Sequence, residues 1–242
     1  MSFTRISGMN DIPAIKALLF MKGYSERVPR KNIGPLCGRP LLHWILESLT
    51  KSRYIKEIVI NTDDDEIARQ ATDHFDVIIH MRPEFLLTIT NNEASQLMAY
   101  DLSIMKGEHF LQTHSTNPLL KTETIDRSIE TYFKNLDKHD SLFSVTPLQK
   151  RFFWENGQAI NHDPKNLIKT QKLPFVYEEN SCIYIFSRKV FEEVGNRIGR
   201  RPMMFSMDAY ESVDIDEPID FSIAEALMAE RLRIERGGRF EA

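Results

Sequence analysis

The chain has 242 residues, 42% of them hydrophobic and 27% charged, with Lys+Arg 31 against Asp+Glu 35 for a net charge of −4. That balance excludes a general nucleic-acid binder, gives weight to basic residues only where they cluster, and leaves apolar material enough for one sizeable α/β domain. No apolar stretch approaches the roughly 20 residues needed to cross a bilayer, the first residues lack a signal-peptide pattern, and Cys37 and Cys182 lie far apart without CxxC spacing, so a cytoplasmic protein with reduced thiols is expected.

In chain order, the run Ala14–Leu19 reads as a first buried strand. It is followed by a loop, residues 20–32, that carries one Gly, one Ser, two Lys and two Arg. Pro40 then opens a helix whose apolar residues Leu42, Ile45, Leu46 and Leu49 fall at i, i+3, i+4 and i+7. Ile58–Ile60, Val77–Ile79, Phe110–Gln112 and Leu142–Val145 are short strands. Between them, one helix groups Ala94, Leu97, Met98 and Asp101 on one face, and another carries the stripe Ile125, Ile129, Tyr132, Phe133 and Leu136. Strands alternating with helices predict a mainly parallel sheet with right-handed crossovers. Ligands of such sheets sit beyond the carboxyl ends of the strands.

The rhythm breaks after Thr146. Asn156-Gly157, flanked by Phe152, Phe153, Trp154 and Ile160, is a hairpin signal, and the polar stretch that follows contains Pro164 and Pro174. The excursion at about residues 147–179 is too long for an ordinary loop and predicts a lid or a dimerisation arm. The alternation resumes with a strand at Cys182–Phe186 and a helix from Lys189 to near Gly195. A single domain over residues 1–242, elaborated by that arm, is the expected organisation.

Polar clusters fall at predicted strand ends. The basic loop offers backbone N–H groups and cations to a polyphosphate. Asp214 and Asp216 lie two residues apart, so in an extended segment both carboxylates point to one side, where they can hold a Mg²⁺ bound to polyphosphate. Asp216 could equally cap the helix that Pro218 opens. The Asp63-Asp64-Asp65 run suits a helix N-terminus. His114, after the fourth strand, is a base, a ligand or a polar contact, and Asn180 with Ser181 either meets a ligand or starts a strand.

Taken together, these segments resemble the cytidylyltransferases that activate nine-carbon sugar acids, the CMP-sialic acid synthetases and their bacterial relatives, over roughly residues 14–230. Residues 20–32 resemble P-A-R-G-G-S-K-G-x-P-x-K-N, and Leu36-Cys37-Gly38-Arg39-Pro40-Leu41 resembles L-x-G-K-P-L. Ile60-Asn61-Thr62-Asp63-Asp64 is similar to V-S-T-D-D, Arg82-Pro83-Glu84 to R-P-x-E, and Thr116-Asn117-Pro118-Leu119 to T-S-P-L. Val213-Asp214-Ile215-Asp216 matches the late acidic motif. The departures are Lys22 for Arg, Tyr24 for a small residue, Glu26 for Lys, His114 for Gln and Ser181 for Gly. They imply a modified triphosphate loop and a sugar pocket not tuned to ordinary sialic acid.

The resemblance implies a three-layer α/β/α, Rossmann-like nucleotidyltransferase fold with a protruding dimerisation arm. It implies transfer of CMP from CTP to the anomeric hydroxyl of a 3-deoxy-2-keto sugar acid, with release of pyrophosphate. Lys31 would neutralise the α-phosphate, and Lys22 and Arg27 the β- and γ-phosphates. Gly23, Ser25 and Asn32 would hold the nucleotide, and Thr62, Asp63 and Arg82 would frame the cytosine and ribose. His114, Asn180 and Gln171 would contact the sugar acid, while Asp214 and Asp216 would hold Mg²⁺. Expected partners are CTP, a sugar acid and a second copy of the chain, with no nucleic acid and no membrane. Two other classes share part of the pattern. A nucleotide-binding protein without turnover would accommodate Glu26, and a nucleotide-sugar glycosyltransferase would need the acidic pair but not the Lys31-Asn32 loop.

Overall fold

We describe residues 12–89 and 93–237 of a computed structural model of the chain. The opening residues read above for a signal pattern lie outside them. The main sheet has the order β5-β4-β1-β6-β8-β7-β9. Its strands are β1 (Ile15–Met21), β4 (Ile55–Thr62), β5 (Ile78–Met81), β6 (His109–Thr113), β7 (Ser141–Leu148), β8 (Val176–Ser187) and β9 (Pro202–Ser206). A separate two-stranded piece pairs β2 (Pro35–Leu36) with β3 (Arg39–Pro40). β1 pairs in parallel with β4 and with β6, β4 in parallel with β5, and β7 in parallel with β9. β8 pairs antiparallel with both β6 and β7.

The six helices among the described residues are α1 (Leu41–Thr50), α2 (Asp65–Thr72), α3 (Glu93–Ile104), α4 (Thr122–Lys134), α5 (Arg188–Val194) and α6 (Pro218–Glu235). Alternation along the strands places them in layers. In β1, Ala17 and Leu19 face a core shared with Leu42, Ile45 and Leu49 of α1, Ile67 and Ala71 of α2, and Ile125 and Ile129 of α4. The intervening Leu18 faces the other side, where Val59 and Phe110 meet Met98 and Leu102 of α3 and Phe191 of α5. The architecture is therefore three-layered, α/β/α, as expected. α6 packs outside, its Ala224 and Met228 against Leu36, Leu41 and Trp44. No helix among the described residues is long and apolar enough to cross a membrane, and Cys37 and Cys182 are both free thiols.

Two expectations were incomplete. The sequence reading had no strand at Pro202–Ser206, because Pro202-Met203-Met204-Phe205-Ser206 shows no clean alternation. Its place at the sheet edge comes from pairing with β7. The strand at Cys182–Phe186 is the end of a twelve-residue strand, β8, whose first half pairs with the end of β7 at the root of the arm. Beyond that root, Asn156-Gly157 does make a tight turn. Gly157 has φ 82, Trp154 N donates to Gln158 O at 2.8 Å, and Phe153 bridges Ala159.

Topology places the site. The chain leaves β1 for β4 and β5 on one side, then returns to β6 on the other side of β1. The connections therefore part at the carboxyl ends of β1 and β6, which is where a crevice opens in such sheets.

Candidate active site

At that switch point lies a cleft of about 690 Å³. The loop after β1 forms one wall with Lys22, Ser25, Glu26, Arg27, Lys31 and Asn32. Asp63 and Arg82 come from the ends of β4 and β5, His114 and Ser115 from the end of β6, and Asp214 and Asp216 from the segment before α6. Ser181 of β8 and Arg197 from the α5–β9 connection close the far side.

The basic loop is tied down before any ligand arrives. Arg30, at φ 53, turns the chain into a short 3₁₀ turn at Lys31–Ile33. Asn32 Nδ2 donates to Lys22 O at 2.7 Å, and Ser115 Oγ donates to Asn32 Oδ1 at 2.5 Å. Gly23 N donates to Asp63 Oδ1 at 2.7 Å. A Cβ on Gly23 would come 2.7 Å from the Cβ of Asp64, so only glycine permits this approach of loop to strand end. Asp64 in turn caps α2 by accepting from Ile67 N at 2.9 Å.

Lys31 crosses the cleft. Its Nζ donates to Ile215 O at 2.7 Å and lies 3.5 Å from Asp216 Oδ1. Arg27 pairs with Asp216 at 3.1 Å and with Glu217 at 2.9 Å. Lys22 pairs with Glu93 at 2.7 Å. Glu26 lines the same wall and makes no ion pair among the described residues. The cap of α6 is Glu217, in a reciprocal box with Asp220, rather than Asp216. Asp216 is thereby left exposed toward the cations. Asp214 is half-buried. Burial raises its carboxyl above the usual carboxylate range, with the charge of Asp216 adding to this and the Thr116 hydrogen bond and Lys31 opposing it. Asn117 Nδ2 reaches Asp214 Oδ1 at 3.5 Å, while the buried Asn117 Oδ1 has no partner.

Arg82 is held by a chain of buried polar groups. Its Nε donates to Asn61 Oδ1 at 3.0 Å, and Asn61 Nδ2 donates to Asp101 Oδ1 at 3.0 Å. His80 Nδ1 lies 2.8 Å from that same oxygen. Arg82 Nη2 is buried without a partner. Sequence reasoning missed His80 and the role of Asp101. The available signal was a carboxylate on the otherwise apolar face of α3.

Four expected site residues do not line the cleft. Gly23 spends its N–H on Asp63. Thr62 is fully buried, and its Oγ1 accepts from Asp64 N at 3.2 Å. Asn180 is buried, with Oδ1 accepting from Ser144 Oγ at 2.5 Å and Nδ2 donating to Thr146 Oγ1 at 3.0 Å. It clamps β8 to β7 across the irregularity in their pairing. Gln171 sits exposed on the arm, its carbonyl accepting from Gln149 Nε2 at 3.0 Å. Arg197, which the sequence did not single out, does line the cleft.

The model of one family, described as "Cytidylyltransferase", matches residues 17–238. The chain belongs to the cytidylyltransferase family. Among curated proteins, it is 24% identical over 223 residues to post-translational flagellin modification protein B of Campylobacter coli, covering 87% of this chain and 93% of that one. It is 28% identical over 229 residues to the CMP-N,N'-diacetyllegionaminic acid synthase of Legionella pneumophila, covering 88% and 96%. Its fold is similar to that of a CMP:2-keto-3-deoxy-manno-octonic acid synthetase complexed with CTP, with TM-score 0.67 at 12% identity over 90% of this chain and 99% of that one. The expected Rossmann-like nucleotidyltransferase fold is thus the observed one. Within this family fold, the basic wall and the acidic pair face each other across one cleft.

Proposed function

We propose that this cytidylyltransferase joins CMP from CTP to the anomeric hydroxyl of a 3-deoxy-2-keto sugar acid and releases pyrophosphate. The observation that carries the reading is Lys31. Its ammonium spans from the basic loop to the Asp214–Asp216 segment, so one residue of the cationic wall reaches the Ile215 carbonyl and Asp216 of the hard-oxygen pair. A triphosphate laid between them would have its α-phosphorus beside Lys31, with Arg27 and Lys22 available to the outer phosphates.

The donor set fits Mg²⁺. Asp214 and Asp216 are hard oxygen ligands, burial and then the Asp216 charge raise the Asp214 carboxyl, and no group of three or more His, Cys, Asp or Glu suited to a metal occurs among the described residues. Mg²⁺ takes one or two carboxylates and completes its octahedron with phosphate oxygens and water. When bound, it would neutralise charge on the departing pyrophosphate. The protein's own residues do the rest by position. Arg27 and Lys31 exchange Asp216 for phosphate oxygens, and the Asn32–Ser115 bond holds the loop that carries them. Arg82 Nη2, a buried donor with no acceptor, would be satisfied by a carbonyl oxygen of cytosine. Preorganised charge of this kind, rather than covalent chemistry, supplies most of the rate in such transfers. The reaction would run in the cytoplasm, where CTP is at hand.

The direct test measures pyrophosphate release from CTP with N-acetylneuraminic, pseudaminic, legionaminic and 3-deoxy-D-manno-octulosonic acids in turn. Release is expected only when CTP and an acid are both present. CTP binding with no release for any acid would replace the transferase reading with that of a binding protein.

The acting unit in this proposal is a homodimer joined through the arm. Phe153 is 53% exposed, Trp154 60% and Leu167 72%, a density of apolar surface that a monomer would carry at a cost in solubility and that interface centres favour. The arm would carry Gln171 toward the partner's sugar site. Replacing Phe153 and Trp154 together with Ser is expected to give monomers in sedimentation and to raise KM for the acid more than for CTP. A wild-type protein that sediments as a fully active monomer at micromolar concentration would rule the arm out.

A further inference from the structure

Five cations among the described residues line the cleft. Lys22 has Glu93 at 2.7 Å, Arg27 has Asp216 at 3.1 Å, Lys31 has Asp216 at 3.5 Å, and Arg82 has Glu93 at 3.7 Å. Arg197 alone has no carboxylate within ion-pair distance among the described residues. Its guanidinium lies 3.5 Å from the ring centroid of Tyr184, which is fully buried. The Tyr184 hydroxyl is committed to the Glu179 carboxylate, so the nearest acid is held one ring away.

Arg197 also dictates the state of its neighbours. Its Nη1 donates to Oε1 of Gln112, a fully buried side chain. A guanidinium has donors only, so this contact fixes which end of the Gln112 amide faces it. Gln112 Nε2 is then turned toward His114 Nε2, 2.9 Å away. The amide donates, the ring nitrogen accepts, and the His114 proton resides on Nδ1. Burial first, then the Arg197 and Lys31 charges, push this imidazole down to about 4. A ring so held does not act as a base near neutrality. It presents a single N–H, and Nδ1 has no partner among the described residues. Arg197 and His114 therefore form two donors, one charged, on the wall opposite the basic loop.

We infer that Arg197, with His114 oriented through Gln112, is the subsite that receives the carboxylate of the acceptor sugar acid. The inference rests on the transfer reading above and names the group that reading leaves unplaced. The triphosphate has its own cations, each already balanced by an acid that it can displace. The remaining anion of the reaction is the acceptor's carboxylate, and a planar fork of donors matches a planar carboxylate in both charge and shape. A neutral sugar would leave the guanidinium unpaired and is selected against. Arg197 is thus a specificity-determining residue, and Gln112 is a positioning residue that sets the His114 tautomer.

The test compares each of the four acids with its C1 carboxamide in the wild type, Arg197→Gln and Arg197→Lys. In the wild type, the acid is expected to be preferred over the carboxamide by about tenfold to a hundredfold in kcat/KM, the range spanned by a hydrogen bond to a charged group. In Arg197→Gln, KM for the acid is expected to rise by a similar factor, the preference to vanish, and KM for CTP to stay within about twofold. Arg197→Lys keeps the charge over Tyr184 but loses the fork, and is expected to fall between. Nitrogen-15 shifts of His114 should place its proton on Nδ1, and an Nε2–H ring would overturn the relay. An Arg197→Gln enzyme that keeps the acid-over-amide preference, or that loses both acceptors and CTP equally, would overturn the carboxylate subsite alone. Absence of turnover with all four acids would overturn the transfer reading and this inference together.

Discussion

Lys31→Ala is expected to lower kcat by about a hundredfold or more in a protein that remains folded, since removing one preorganised charge from a transition state typically costs that much. The Lys31 side chain is only 14% exposed, so its charge acts in an environment less screened than open water. It also has no understudy. In the proposed arrangement Arg27, beside Asp216 and Glu217, and Lys22, beside Glu93, serve the outer phosphates, which leaves the α-phosphate to Lys31. The structural cost is small by comparison. The variant loses its bond to Ile215 O and the 3.5 Å contact with the exposed Asp216, together worth about 1–2 kcal/mol against a total stability of about 5–15 kcal/mol. Thermal unfolding and single-turnover rates separate the two effects. A folded Lys31→Ala enzyme with near-normal turnover would remove Lys31 from the centre of the mechanism.

Asp214→Asn and Asp216→Asn should each raise the Mg²⁺ concentration needed for half-maximal turnover by at least about tenfold, because loss of even an outer-sphere partner costs tenfold to a hundredfold in metal affinity. The larger effect is expected at Asp214. It is the more enclosed of the two, whereas Asp216 shares its charge with Arg27 and Lys31. The helix that follows is not at stake. Glu217 and Asp220 cap it between them, so neither substitution touches the cap. Calorimetric titration of Mg²⁺ into the CTP complex gives a readout independent of turnover. Unchanged titrations in both variants would defeat the metal assignment.

Much of the site was legible because each motif was a contiguous run at the end of a periodic element. The loop from Lys22 to Asn32 follows a strand whose apolar run is unmistakable, and the Asp214–Asp216 spacing is visible without any fold. What those runs did not disclose was which side chains are consumed by the protein itself. Asn180 and Thr62 carry the same donors and acceptors as any ligand contact. Burial and neighbours, Ser144 and Thr146 for one and Asp64 N for the other, decide that they hold strands together. Asp63 is a similar case, because Gly23 must approach the end of β4 closely and Asp63 is the acceptor that meets its N–H.

The sequence by itself determined the alternation of strand and helix, the family resemblance, and the identity of the cationic and acidic walls. These depend on periodicity and on residues adjacent in the chain, which local chemistry encodes. Tertiary structure alone decided that β8 runs antiparallel, that β9 joins the sheet edge, that Glu217 rather than Asp216 caps α6, and that Arg197 enters the cleft. Arg197 lies 85 positions from the Gln112 it grips, and no local pattern marks an arginine in a connection between helix and strand as the partner of a glutamine on β6. Such pairings arise only when β6 and β8 lie side by side and the chain beyond α5 folds back over them, bringing distant residues within hydrogen-bond reach.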